Sequence, residues 1–277
     1  YHCLSSGINA EYMGSRDESS FIFTRLPRVE LFSSGRKMSI VQFRTAAEPT
    51  NPNSADGSKG QTIDLGNGSE ILYFPRFLSA DRSWALFEYL DKEIPWTRPT
   101  IRVFGRSCIQ PRDTCYISDS GLQELSYSGY QPHACSWDDY PPLKEILETV
   151  LRAFPGSRFN TLLLNRYKGG NDYVGWHSDD EKIYGSTPEI VSVSFGCDRE
   201  FFLKKKSKKM SLGRRCEDEA PKKRAKKARH AGQHGLMLLH GSLLVMRGYT
   251  QRDWVHSVPR RAKAEATRIN LTFRHVL

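Results

Sequence analysis

Two histidines and one aspartate in the C-terminal half of the 277-residue chain have the spacing of a metal site. His177 and Asp179 are two residues apart, so on an extended segment their side chains point the same way. His256 follows much later and would complete the set. Two imidazoles and one carboxylate are the minimal set that holds non-haem Fe(II) on one face while leaving positions open for O2 and a cosubstrate. Zinc with the same three ligands is the alternative.

The strand-like run 268–274 alternates between polar and apolar residues. Alternation on a strand places the two kinds on opposite faces. The polar residues are Arg268, Asn270, Thr272 and Arg274, and the apolar ones are Ile269, Leu271 and Phe273. Two cations on the polar side of a buried strand need anionic partners, because an unpaired buried charge is too costly. A dicarboxylate cosubstrate would supply them, whereas a zinc site would not need paired arginines.

Six segments resemble the AlkB family, the Fe(II)/2-oxoglutarate dioxygenases that remove alkyl groups from nucleic-acid bases. They are Asn165-Arg166-Tyr167, His177 to Glu181, Ser192 to Gly196, His240 to Leu244, His256 to Pro259 and Arg268 to Arg274. The resemblance runs from about Ile71 to the C-terminus and is greatest for the nuclear, duplex-DNA subgroup, the AlkB homologue 2 type. A lone His-x-Asp occurs by chance in many chains, but these segments in this order are specific.

The resemblance implies Fe(II), 2-oxoglutarate and O2, with His177, Asp179 and His256 as the catalytic metal ligands. It also implies a 2-oxoglutarate site formed by Asn165, Tyr167, Arg268, Thr272 and Arg274. Guanidinium pairs with carboxylate in bidentate fashion, which favours Arg over Lys there. Ordinary strands with one arginine in a structural salt bridge are the alternative. The implied reaction is oxidative demethylation of 1-methyladenine and 3-methylcytosine in DNA, releasing formaldehyde, succinate and CO2.

A methylated base in a duplex must leave the stack to reach buried iron. Residues 102–106 resemble the finger loop of the subgroup, in which Phe104 would fill the gap, flanked by Val103, Gly105 and Arg106. A plain strand with Val103 and Phe104 in the core is the alternative. The resemblance further implies that Arg112 touches DNA near the finger.

The segment Leu125-Ser126-Tyr127 resembles the one that lines the base pocket, where Tyr127 would stack on the base. The subgroup tends to have an aromatic residue in place of Leu125, a departure that bears on substrate range. Asp180 and Glu181 are placed to meet the exocyclic amine of adenine or cytosine. A solvated acidic turn is the alternative for this pair.

The net charge of +10 and the pI near 9.3 favour a polyanionic partner. Residues 204–232 form a basic loop insertion whose part from Lys204 to Arg229 has 13 Lys or Arg against three acids. This run suits DNA backbone contact and resembles a bipartite nuclear import signal; import alone, or a solvated basic segment, would also explain it.

Six scattered cysteines without a C-x-x-C pair argue against a zinc ribbon and favour reduced thiols in the cytosol or nucleus. No apolar stretch approaches a membrane span, and the N-terminus lacks a signal-peptide apolar region. We therefore expect a soluble, nuclear, monomeric protein that binds DNA, with duplex favoured over single strands, and no membrane.

These residues must be positioned by helices and strands, and the order of the helix and strand patterns along the chain predicts an α+β fold. We expect a double-stranded β-helix (jelly roll) backed by helices. Helices are expected from Asp81 and from Pro141 to about Phe154, followed by short strands. Residues 1–68 are predicted to be a mostly disordered tail, with a possible protein partner. Residues 69–277 are predicted to be the dioxygenase domain, in which 71–135 recognise the nucleotide.

Three other functions stay open at this point. An RNA demethylase would use the same chemistry, although Phe104 and the basic insertion favour duplex DNA. A catalytically inactive nucleic-acid-binding module would not need all three ligands and both arginines. A protein or small-molecule hydroxylase would not need the base-pocket segments or the positive charge.

Overall fold

The computed structural model describes residues 60–103, 105–122, 126, 129–206 and 233–277. Among them the helices are α1 (Ala80–Glu93), α2 (Pro141–Ala153) and the short α3 (Thr250–Asp253). The strands are β1 (Gln61–Gly66), β2 (Ser69–Phe74), β3 (Thr100–Val103), β4 (Arg106–Ile109), β5 (Asp113–Ser118), β6 (Ala134–Cys135), β7 (Thr161–Tyr167), β8 (Val174–His177), β9 (Ile190–Gly196), β10 (Arg199–Lys205), β11 (Gln233–Leu238), β12 (Leu243–Gly248), β13 (Trp254–Val258) and β14 (Arg268–Arg274). None of the described helices has the length and apolar character needed to cross a membrane.

Two sheets form the body of the fold. The larger has eight strands in the order β1-β2-β12-β9-β14-β7-β5-β6, and the smaller has four in the order β11-β10-β13-β8. Strands β3 and β4 form a separate hairpin. Two sheets of mostly antiparallel strands, together with the two longer helices, match the predicted jelly roll backed by helices, and that prediction is confirmed.

The helices pack against one face of the larger sheet because their apolar residues recur at helical spacing. Leu90 of α1 and Ile146 of α2 are fully buried in the same apolar cluster as Leu271 of β14. The side chain of Ser79 caps α1 by accepting a hydrogen bond from the amide of Arg82. Since Ile269, Leu271 and Phe273 all face this cluster, the polar residues of β14 must face the smaller sheet. Both predicted helices and the predicted alternation of β14 are therefore confirmed.

The predicted boundary of the N-terminal tail is wrong over its last residues. Strand β1 pairs with β2 across a turn in which Gly66, Asn67 and Gly68 all have positive φ (80°, 54° and 71°). Strand β1 lies at the edge of the larger sheet and is mostly exposed, so it lacks the apolar alternation that reveals a strand. The folded part thus includes residues 61–68, and residues 1–59 lie outside the described ones.

The predicted basic insertion also begins later than expected. Lys204 and Lys205 belong to strand β10, and β11 begins at Gln233. Only Lys206 of the remaining insertion is described; residues 207–232 lie outside the described part of the chain.

Gly170 ties the turn between β7 and β8 to the segment that follows β13. The amide of Arg261 donates to the carbonyl of Gly170 at 2.9 Å, and a Cβ on Gly170 would lie 1.8 Å from the carbonyl oxygen of Arg261. We expect Gly170→Ala to lower the free energy of unfolding by roughly 1–3 kcal/mol, as overpacking does elsewhere. Gly175→Ala is the control, because no atom of the described residues would lie within 4 Å of its Cβ. Chemical denaturation that shows equal losses for the two variants would contradict this close approach.

Candidate metal and cosubstrate site

The three predicted ligands come together where the two strands of the smaller sheet that carry them run side by side. His177 ends β8 and pairs in register with His256 of β13, while Asp179 follows two residues after His177. One ligand atom from each of these residues lies within 4.8 Å of the others, and the two imidazole centroids are 4.2 Å apart. Antiparallel pairing thus supplies the third ligand that the His-x-Asp segment lacks.

The protonation states of this cluster suit a cation. Burial alone would raise the pKa of Asp179, but the Arg274 guanidinium and the two imidazoles hold it well below its usual range. Burial, with some help from His177, lowers the pKa of His256 to about 3. An ionised carboxylate and a neutral imidazole are the forms that bind metal. The residues present therefore fit a divalent ion such as Fe(II).

Neighbouring groups orient each ligand. The Nδ1 atom of His177 lies 2.9 Å from the carbonyl oxygen of Gly175, and because a carbonyl can only accept, Nε2 is the nitrogen left for a metal. The amide of Asp179 donates to Oε1 of Gln251 at 3.0 Å. Phe201 stacks on the His256 ring at 5.4 Å between centroids. These contacts limit the freedom of the two imidazoles and of the backbone that carries Asp179.

A cavity of about 770 Å³ lies between the sheets and is lined by the three ligands and by the polar face of β14. Within this face the amide group of Asn270 receives hydrogen bonds on Oδ1 from Ser192 (2.7 Å) and Arg268 (2.8 Å). Its Nδ2 donates to Oγ1 of Thr272 at 2.7 Å. The lining is thus a connected polar network with fixed orientation.

Arg268 is a buried cation whose partners in the described part of the chain are neutral. It is 1% exposed, and its Nη2 donates to Oγ of Ser194 and to Asn270. Its Nε and Nη1 have no hydrogen-bond partner among the described residues, and burial lowers its pKa. Buried donors of a charged group are rarely left unpaired, since each costs free energy. This arrangement fits an anionic ligand such as a carboxylate.

Arg274 differs from Arg268 in its partner. Its Nη2 donates to Oδ2 of Asp179 at 3.1 Å, and although burial would lower its pKa, that carboxylate raises it. Its Nε has no partner among the described residues. Arg274 therefore contacts a predicted metal ligand directly, whereas Arg268, six residues earlier on the same strand, bonds only neutral side chains of the cavity wall.

The other predicted cosubstrate residues line the same cavity. Tyr167 is buried, and two guanidinium groups lie near its ring. Their distances from the ring centroid are 5.2 Å for Arg268 and 5.5 Å for Arg199. Asn165 accepts a hydrogen bond at Oδ1 from Nε of Arg112 at 2.7 Å. Arg112, which was expected to contact DNA, is thus half-buried in the cavity wall with its guanidinium engaged.

The predicted finger residues lie on the β3–β4 hairpin, where seven of eight strand residues are exposed. Val103 is 39% exposed and lines the cavity, so the alternative that places it in the core is wrong. Gly105 and Arg106 are exposed, and Gly105 has φ of +78°, which suits a tight two-residue connection. Phe104 lies outside the described residues.

Of the remaining residues predicted for the base pocket, some line the cavity and others do not. Glu181 lines the cavity, whereas Asp180 lies outside the lining and accepts from Nζ of Lys206 at 2.8 Å. Desolvation, aided by the neighbouring carboxylates, raises the pKa of Glu181. Ser126 is exposed, and both Leu125 and Tyr127 lie outside the described residues.

Several residues of the site were not predicted from the sequence. They are Ser192, Ser194, Asn270, Tyr184, Gln251 and Phe201. The Ser-Val-Ser alternation in β9 carries a signal for the first two, because its serines face the same side as the polar residues of β14. The contact between Gln251 and Asp179 spans 72 residues and has no local signal.

Comparisons with known proteins agree with this geometry. The model of the 2OG-Fe(II) oxygenase superfamily matches residues 70–274. The DNA oxidative demethylase ALKBH2 of Arabidopsis thaliana is 63% identical over 243 residues, covering 87% of this chain and 76% of the relative. ALKBH2 of Homo sapiens is 35% identical over 195 residues, or 69% of this chain and 68% of the relative. The alpha-ketoglutarate-dependent dioxygenase alkB homolog 3 of Bos taurus is 34% identical over 208 residues, or 75% and 66%.

Proposed function

This chain belongs to the 2OG-Fe(II) oxygenase superfamily and to its AlkB family, and we propose that it repairs DNA by oxidative demethylation of N-alkylated bases. The observation that carries the proposal is the largely buried His-Asp-His cluster, which shares its cavity with a buried arginine that has no anionic partner among the described residues. The cofactors of the family are Fe(II), 2-oxoglutarate and O2. When they are bound, they supply the oxidation of the N-methyl group, which leaves as formaldehyde while 2-oxoglutarate becomes succinate and CO2.

The side chains of this protein would bind and orient the reactants. His177, Asp179 and His256 would hold the metal, and Arg268 would bind one carboxylate of 2-oxoglutarate through Nε and Nη1, which have no partner among the described residues. Asn165, Tyr167 and Thr272 would contribute polar contacts, and Arg274 would contact the cosubstrate through Nε while fixing Asp179. The large apolar residues around the cavity would exclude water from the reacting centre.

The lesions that suit this site are 1-methyladenine and 3-methylcytosine. Glu181 is a carboxylate at the cavity wall that could accept a hydrogen bond from the exocyclic amine that both bases carry. Asp180 is a weaker candidate for this role, because Lys206 already occupies one of its oxygens. Glu181 is therefore our first candidate for the residue that recognises these two lesions.

We further propose that duplex DNA is preferred and that the protein acts in the nucleus as a monomer. The exposed β3–β4 hairpin borders the cavity mouth with Val103 and Ile109 and carries Arg102 and Arg106 beside its turn. An aromatic residue at that turn could enter the gap left by a flipped base. The basic run after Lys206 supports nuclear import and backbone contact, and the tail before β1 is a candidate for binding a protein partner.

The duplex assignment is tested by Phe104→Ala. We expect this variant to lose most of its activity on 1-methyladenine in duplex DNA and little on the same lesion in a single strand. The reason is that a single strand has no partner base and little stacking to replace, whereas unstacking in a duplex costs a few kcal/mol. Product masses would be measured for both oligonucleotides with Fe(II) and 2-oxoglutarate present.

Thr100→Ala at the base of the same hairpin is the matched control and should leave the ratio of the two activities unchanged. Equal losses of Phe104→Ala on both substrates would mean that Phe104 stabilises the fold. The same assay with methylated RNA tests the alternative that the substrate is RNA. Absence of turnover by the wild-type protein on all of these strands would overturn the proposed enzymatic activity.

A further inference from the structure

An exposed tryptophan lies on the edge strand of the smaller sheet, next to the metal ligands. Trp176 immediately precedes His177 on β8 and is 42% exposed. It belongs to none of the apolar clusters of the described residues, so the core does not require an indole there. A single exposed apolar side chain is common on protein surfaces, but one at the mouth of a cavity, with a second aromatic residue and two cations nearby, is typical of a binding site.

Register places Trp176 on the outer face of the sheet. His177 and His256 are paired and line the cavity between the sheets, and Leu203, which also pairs with His256, is fully buried on the same inner face. Neighbouring residues on a strand face opposite sides, so Trp176 and Lys204 share the outer face. The Nζ atom of Lys204 lies over the indole ring, 4.2 Å from its centroid.

A second aromatic–cation pair lies at the other end of the same strand. Tyr173 precedes β8 directly, and the guanidinium of Arg260 lies 4.5 Å from its ring centroid. Trp176 lies three residue steps after Tyr173 on extended chain, which corresponds to about 10 Å. We call Tyr173, Trp176, Lys204 and Arg260 the β8 rim.

The cations of the β8 rim are available to a ligand. Neither Lys204 nor Arg260 forms an ion pair with a carboxylate of the described residues, in contrast to Lys206, which pairs with Asp180. Because β8 is the edge strand of the smaller sheet, the lining at the mouth of the cavity includes Tyr173, Trp176 and Arg260. The β8 rim therefore combines aromatic surface and unpaired positive charge at the entrance to the metal site.

We propose that the β8 rim is a second nucleotide subsite, which holds the nucleotide next to the one that enters the cavity. The neighbouring base stacks on Trp176, and Lys204 and Arg260 contact the phosphates on either side. Stacking on an aromatic side chain is tolerant of sequence, because every base has a π face. The proposal rests on the proposed function and assigns to this chain a contact that is independent of the lesion.

The test compares Trp176→Ala, Trp176→Phe and wild type in binding a fluorescent, unmodified single-stranded 16-mer of DNA, measured by anisotropy. We expect Trp176→Ala to weaken binding by roughly tenfold and Trp176→Phe to retain most of the affinity, as stacking requires. The KM for a methylated oligonucleotide should rise by the same factor, while kcat and the half-saturating concentration of 2-oxoglutarate stay unchanged. Lys204→Gln should reduce the slope of log affinity against log salt by roughly 0.7.

Trp84→Ala is the matched control, since Trp84 is 51% exposed on α1 in the helical layer and should not affect binding. Unchanged binding by Trp176→Ala would overturn the proposal, and so would an equal loss with Trp84→Ala. A fall in kcat or a rise in the 2-oxoglutarate requirement would overturn it too, because Trp176 would then act through His177. A wild-type protein that binds the 16-mer through Trp176 but demethylates nothing would overturn the proposed function and leave the subsite standing.

Discussion

Replacing Asp179 with asparagine should abolish demethylation and lower the affinity for Fe(II) by more than roughly a hundredfold. Loss of a group that merely orients a ligand already costs about 10–100-fold in metal affinity, and Asp179 is a ligand candidate itself. Asparagine keeps the volume of the side chain but removes the charge that balances a divalent ion. Succinate and formaldehyde would be measured in turnover assays, and metal binding by anaerobic calorimetry.

Asp180→Asn is the control for metal affinity, because the Asp180 carboxylate is directed to Lys206 rather than to the histidines. Asp179→Asn also leaves Arg274 without its carboxylate, so some loss of stability accompanies the loss of metal. Thermal unfolding without metal would measure it. Full turnover by Asp179→Asn, or wild-type activity with zinc as the only metal, would contradict the assignment of the iron site.

The parts of the fold that could be predicted from the sequence are those whose two faces meet different environments. Strand β14 is buried along its whole length, with an apolar cluster on one face and the polar cavity on the other, so its alternation is complete. Helices α1 and α2 have an apolar stripe and a capping serine or proline pair. Strands β1, β3, β4, β6 and β8 were not predicted because they are edges or an exposed hairpin, where solvent does not impose a pattern. The interior strands β2 and β5 were not predicted either, because they are buried on both faces and their burial does not alternate.

The candidate site likewise contains residues that could be predicted from the sequence and residues that could not. Its charged residues could be predicted because burying a charge restricts the sequence to the few types that can be paired. Neutral partners such as Gln251 and Ser194 carry no such signature, and their contacts join segments 72 and 74 residues apart. From the sequence, Arg268 and Arg274 were predicted to have equivalent roles, but in the structure it is Arg274 that forms a hydrogen bond with Asp179. That difference depends on the packing of β14 against the smaller sheet.

Arg268→Met should raise the half-saturating concentration of 2-oxoglutarate by roughly tenfold to a hundredfold without destabilising the protein. Loss of hydrogen bonds to a charged group accounts for about 1.5–3 kcal/mol of binding free energy. The Nε and Nη1 atoms of this guanidinium have no partner among the described residues, and replacing an uncompensated buried charge with an apolar side chain is often neutral or stabilising. Titration of succinate formation and thermal unfolding, each with and without 2-oxoglutarate, would measure the two effects.

Arg274→Met is the matched comparison, because it removes the same charge from the same face of β14 but leaves the Asp179 carboxylate buried without its partner. We expect this variant to unfold at a lower temperature than wild type even before cosubstrate is added. In wild type, 2-oxoglutarate should raise the unfolding temperature by mass action, and Arg268→Met should lose most of that rise at the same concentration. A 2-oxoglutarate titration unchanged by Arg268→Met would place the carboxylate anchor elsewhere, and equal destabilisation by the two variants would contradict the different partners of the two arginines.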